Sequence, residues 1–139
     1  MYYFIHFTWG LLLNLIGLPT FLFCKYILGY QSVRYRKSFE IIIPKISSGL
    51  SLGIFLFIGE DAQSLQPHEY GHTIQNLIWG PLKPFVISIP SCARFWYREY
   101  LVQYKNKKYS DLPDYDAIWF EGQATNFGNR AAAGEWKWL

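Results

Sequence analysis

From Tyr2 to Cys24 the chain runs through 23 residues without a single Lys, Arg, Asp or Glu. A helix needs roughly 20 predominantly apolar residues to cross the hydrocarbon of a bilayer, so the stretch predicts a transmembrane or hydrophobic helix over residues 1–28. His6, Thr8, Asn14 and Thr20 interrupt it and Pro19 would kink it, features that membrane helices tolerate when neighbours satisfy them. A cleaved signal peptide fits less well, because nothing basic precedes the apolar run and no small-residue cleavage site follows it. Lys25, Arg34, Arg36, Lys37 and Lys45 come next against the single acid Glu40. Basic flanks stay in the cytoplasm, which places the remainder, residues 29–139, on the cytoplasmic side of the membrane.

The length of 139 residues suits one domain with a hydrophobic core. Charged residues make up 17% of the chain, against about 25% in an average soluble domain, and this too leans toward a lipid bilayer as partner. The net charge of +3 is small, and its basic residues form no dense stripe of the kind that neutralises phosphates, so nucleic acid is excluded as a partner. Cys24 and Cys92 lie far apart without ligand spacing, which indicates neither a disulfide framework nor a cysteine metal site.

Phe39 to Ile43 and Leu50 to Ile58 are rich in Ile, Phe and Leu and flank Ser47-Ser48-Gly49, a pattern that predicts a short antiparallel β-hairpin. A helix follows over residues 65–79, with Ser64 to cap it, Pro67 in its first turn, and Gly80-Pro81 to end it. Pro81, Pro84 and Pro90 then predict an irregular connector. From Ser91 another helix puts Trp96, Tyr100, Leu101 and Tyr104 on one face, read as a packed aromatic face. A last helix spans 115–133 and closes at Gly134. The fold class is α+β.

The chemistry is concentrated in His68-Glu69-Tyr70-Gly71-His72, an H-E-x-x-H on the 65–79 helix. Residues four apart share a helix face, so both imidazoles can converge on one ion. Glu69 beside them can take a proton from an attacking water and later deliver it to a leaving amine. Gln75, Asn76 and Trp79 continue the same face, and Gly71 leaves a gap through which a second helix can approach.

Catalytic zinc has three protein ligands and one open position. The remaining histidine, His6, lies in the presumed span, and most acids fall in turns or near the termini. Glu121 is different. It sits mid-helix between Trp119, Phe120 and Phe127, with small Gly122 and Ala124 beside it, and a buried carboxylate needs a partner or a metal.

H-E-x-x-H followed by the helical Glu121-Gly122-Gln123-Ala124, an E-x-x-A, resembles the gluzincin zinc metallopeptidases. Together with Thr73-Ile74-Gln75, Gly80-Pro81-Leu82 and Pro90-Ser91, it looks most like small predicted bacterial membrane metallopeptidases, over roughly residues 50 to 128. The resemblance implies Zn2+ on His68, His72 and Glu121, Glu69 as general base, and a zincin-like helical core. It also implies that Leu52 to Ile58 is an edge strand whose Gly53, Ile54, Phe55 and Leu56 hold a peptide or membrane-protein substrate. Gln75 and Thr125 are the expected supports behind the metal ligands. Gluzincins usually carry E-x-x-A-D, whose aspartate orients a histidine, whereas this chain has Thr125, a weaker polariser of the imidazole. Tyr97, Arg98, Tyr100 and Tyr115 are the candidates for stabilising an oxyanion. The resulting expectation is a membrane metallopeptidase of a bacterial cell membrane. The alternative is a catalytically inactive, metal-stabilised membrane binding or regulatory protein.

Overall fold

The structure is a computed structural model that describes residues 1–136 of the chain. The uncharged N-terminal stretch is not one helix. It forms α1 (Tyr2–Phe7) and α2 (Leu11–Leu22), which runs on into a π-helical turn over Phe23–Ile27. The break is built by the polar residues that interrupt the sequence. Thr8 Oγ1 folds back onto the Phe4 carbonyl at 2.7 Å, and Asn14 Nδ2 donates to the carbonyls of His6 and Gly10 at 2.8 and 3.0 Å. Asn14 Oδ1 accepts the backbone N–H of Ile54 at 2.8 Å, so a side chain placed by sequence inside a membrane span ties the N-terminal helices to the sheet.

The expectation of a spanning anchor, and with it the location in a bacterial cell membrane with a cytoplasmic active site, is therefore corrected. Among the described residues no helix is long and apolar enough to cross a membrane. The outward side of these helices does carry exposed apolar groups, among them Leu15, Ile16, Phe23 and Ile27, while Tyr2, His6, Leu13, Asn14 and Phe21 are buried against the rest of the chain.

Four short strands make one sheet: β1 (Ser32–Tyr35), β2 (Ser38–Ile43), β3 (Gly49–Leu52) and β4 (Phe55–Gly59), in the order β1-β2-β4-β3. The outer pairs are antiparallel hairpins, whereas β2 and β4 pair in parallel with Phe39 opposite Phe55 and Ile41 opposite Phe57. The single hairpin predicted between Phe39–Ile43 and Leu50–Ile58 is thus replaced by two. Turns at Arg36, with φ of 52°, and at Gly53, with φ of 67°, close them. The fully buried β4, uninterrupted Phe-Leu-Phe-Ile-Gly, has the apolar run of a strand covered on both faces. Ile54, Phe55, Leu56 and Ile58 are all inaccessible or nearly so, so the strand expected at the substrate edge is central. The edge on that side is β3.

Helix α3 (Gln66–Trp79) follows a 3-10 segment over Glu60–Leu65. Its N-terminal boundary lies at Leu65, without the side-chain cap expected from Ser64. Gly80 ends it with φ of 50°. The proline-rich connector is helical after all: Pro81, Pro84 and Pro90 each open a segment, Gly80–Leu82, Pro84–Ser88 and α4 (Ile89–Lys105). A first helical turn needs no N–H from these positions. On α4 the side chains of Trp96, Tyr100 and Tyr104 are exposed, so the aromatic face does not pack as predicted. A 3-10 turn over Tyr115–Ala117 precedes α5 (Trp119–Ala132), splitting the single helix expected over 115–133.

α3 and α5 make the most extensive contact between helices, and glycine permits it. A β-carbon on Gly71 would lie 1.8 Å from the Ala124 carbonyl oxygen, and one on Gly128 would lie 1.7 Å from that of Pro67. Both obstacles are backbone, which cannot swing aside. Gly71→Ala is expected to destabilise the chain by about 1–3 kcal/mol, the range for forced overpacking, as measured by the denaturation midpoint at unchanged m-value.

Candidate metal centre and its cavity

α3 presents His68 and His72 one turn apart, and α5 brings Glu121 to face both. The Nε2 atoms of the two histidines lie 3.2 Å from the same oxygen, Oε2 of Glu121, and the three groups offer ligand atoms within 4.8 Å of one another. The three residues expected to meet are brought together, and they could hold a metal ion.

The far side of each ring is held. His72 Nδ1 is 2.7 Å from Gln75 Oε1. Gln75 Nε2 is occupied by the Phe120 carbonyl at 2.7 Å and Gln123 Oε1 at 3.0 Å. An amide with its nitrogen so committed must turn its oxygen to the imidazole, so Nδ1 carries the proton and Nε2 presents a lone pair. His68 Nδ1 lies 2.7 Å from Thr125 Oγ1. Gln75 and Thr125 thus stand behind the two rings. Outer partners of this kind typically contribute 10–100-fold to metal affinity. Gln75→Leu is therefore expected to weaken metal binding about 10–100-fold in a competitive chelator titration. Thr125→Val should do less, because a hydroxyl orients the ring without adding charge.

Glu121 is completely buried, yet neither carboxylate oxygen has a hydrogen-bond partner. Such a group is normally satisfied or paired. Here the His72 lone pair and the carboxylate face each other across 3.2 Å, and a cation, or a proton taken up by the imidazole, joins them. Burial would raise the Glu121 carboxyl, but the adjoining His68 and His72 imidazoles outweigh it and hold the group well below the usual carboxylate range. For His68 burial works downward, and the Glu121 carboxylate, with the fields of Glu69 and Asp116, more than reverses it. Two histidines and one carboxylate fit a divalent metal with an open position.

A cavity of about 920 Å³ opens beside His68 and His72. One wall is β3, the other α4, and Glu69 lies between. Glu69 packs under the edge strand so closely that a β-carbon on Gly49 would be 2.6 Å from its Oε1. Burial pushes the Glu69 carboxyl above its ordinary value, partly offset by His72, His68 and Lys83. No family model, curated protein or solved structure matches this chain. Its own geometry therefore carries the functional reading.

Of the sequence's oxyanion candidates, Tyr115 and Arg98 line the cavity while Tyr97 and Tyr100 do not. The Tyr115 ring lies 6.2 Å from that of His68. Burial, helped by the Glu121 field and opposed by a hydrogen bond with Ser91, lifts its hydroxyl to about 12, so it remains a donor at neutral pH. The predicted substrate residues Gly53, Ile54, Phe55 and Leu56 are absent from the cavity wall, which β3 supplies through Gly49, Leu50, Ser51 and Leu52. Sequence reasoning missed Lys83, which is 1% exposed and lines the same cavity. Its position between two prolines in an apolar stretch gave no motif to find it by.

Proposed function

We propose that the chain is a zinc-dependent metallopeptidase, with Zn2+ held by His68, His72 and Glu121 and with Glu69 as general base. The observation that carries this reading is the fully buried Glu121 carboxylate facing the Nε2 atoms of His68 and His72, two residues that line a cavity also lined by Glu69. Zinc, when bound, supplies Lewis acidity that polarises a carbonyl and eases the ionisation of water.

The chain's own residues divide the remaining work. Glu69, whose burial raises its proton affinity, takes a proton from the attacking water and returns it to the departing amine nitrogen. Tyr115 stands ready as a protonated donor beside His68 and would share the charge that develops on the carbonyl oxygen. Among the described residues β3 pairs only with β4, so its outer edge can receive an extended peptide through main-chain hydrogen bonds. That role passes from the Gly53 to Leu56 segment to Gly49–Leu52.

The full chain stripped of metal and titrated with zinc is expected to bind one equivalent and to acquire cleavage of a mixed peptide library, lost again with chelator. Stoichiometric zinc without cleavage under any loading would overturn the peptidase reading. A two-histidine, one-carboxylate set also suits iron(II), so preferential recovery of iron from the expressed protein would overturn the choice of zinc.

A further inference from the structure

Lys83 occupies a single position between two helical turns, Gly80–Leu82 and Pro84–Ser88. It is among the largest fully buried side chains of the molecule, yet it belongs to the wall of the cavity that holds Glu69 and His72. Among the described residues no ion pair and no hydrogen bond engages the Lys83 ammonium. A buried charge without a close partner is strongly unfavourable. At a cavity wall, an anion that enters the cavity can complete the pair.

Two further features define that partner. Lys83 lines the same cavity as Glu69, the base that returns a proton to the departing amine in the proposed reaction. The Pro84–Ser88 turn and α4 add the apolar side chains of Ile87, Phe95 and Trp96 to the same wall, beside Ser88, Ser91 and Cys92, with Arg98 and Glu99 further along α4. An anion carried on the leaving half of a peptide, next to an apolar side chain, matches both. A C-terminal residue has this chemistry: its α-carboxylate is separated from the scissile amine by one carbon. Burial lowers the ammonium to about 8, with Glu69 and Glu121 opposing the fall, so the charge is present at neutral pH.

We propose that Lys83 is a specificity-determining residue that binds the free C-terminal carboxylate of the substrate, directing the site to removal of a C-terminal apolar or aromatic residue. The proposal rests on the peptidase reading for its substrate class, but its test does not depend on turnover. N-acetyl-Ala-Phe and N-acetyl-Ala-Phe amide are titrated calorimetrically into the full chain, zinc-loaded and metal-free. A hydrogen bond to a charged group favours the free acid by about tenfold or more. Lys83→Met, close in length and volume, should erase that preference while leaving zinc content and the circular dichroism spectrum unchanged.

Equal affinity for acid and amide, or no binding of either to the wild type, overturns the proposal whatever the cleavage assays show. So does a preference that survives in Lys83→Met. Binding of N-acetyl-Ala-Asp amide as tightly as the free acid would overturn the terminal assignment in favour of an acidic side chain. Discrimination that is lost in Lys83→Met, together with no peptide cleavage, would leave the carboxylate subsite standing and remove the peptidase reading instead.

Discussion

Glu69→Gln is expected to reduce peptide turnover by about 10²–10⁴-fold while the protein still carries zinc. The magnitude is that of a positioned general base, and the amide is isosteric with the acid but cannot take the proton from water. Because Glu69 is turned toward Gly49 on β3 while His68, His72 and Glu121 meet one another on the α5 side, the substitution touches none of the three ligand atoms. Single-turnover kinetics beside metal analysis separates the two quantities. A variant as active as wild type would remove Glu69 from the chemistry and return the chain to the non-catalytic alternative, in which the metal serves stability or binding alone.

Glu121→Ala should do the opposite, abolishing stoichiometric zinc binding and activity with it. The carboxylate is the one candidate ligand from α5 among the described residues, and its removal leaves the two imidazoles of α3 without a third donor. Metal-free stability should fall as well, because the variant removes the carboxylate that His68 and His72 hold in its charged form and leaves a cavity at a buried site. Comparing thermal denaturation with and without zinc tests both halves: the wild type gains stability from the metal through mass action, and the variant gains none. Full zinc affinity in Glu121→Ala would mean that another acid completes the site.

These expectations draw on the part of the chain that sequence disclosed best. The 3.6-residue period fixes the relation of His68 to His72 without regard to the rest of the fold, and Gly80-Pro81 marks the helix end by local backbone chemistry. Glu121 was legible for another reason: an acid among Trp119, Phe120 and Phe127 is costly unless something answers its charge. The N-terminal helices show where this kind of reasoning fails. Hydropathy sums the side chains along a segment, but their placement depended on which way His6 and Asn14 pointed, and both turn inward to carbonyls, to an amide and to Asn76. Strand pairing was opaque for a similar reason. Nothing local distinguishes Phe39–Ile43 meeting Phe55–Gly59 in parallel from meeting its sequence neighbour in a hairpin, and that choice moved the substrate edge from β4 to β3. Lys83 escaped notice because its meaning is relational: a lysine in an apolar stretch matters only once the cavity around it is known.

The backbone-to-backbone contacts at Gly71 and Gly128 bear on how freely this protein can change. Where two helices are held apart by side chains, every core substitution alters their spacing. Here the main chains themselves act as the spacer, so the distance from the imidazoles of α3 to the carboxylate of α5 is insulated from drift elsewhere in the interior. Leu50 and Leu52 of β3, which line the cavity, can be exchanged in search of a new specificity, while the two glycines stay fixed as the gauge on which His68, His72 and Glu121 are set.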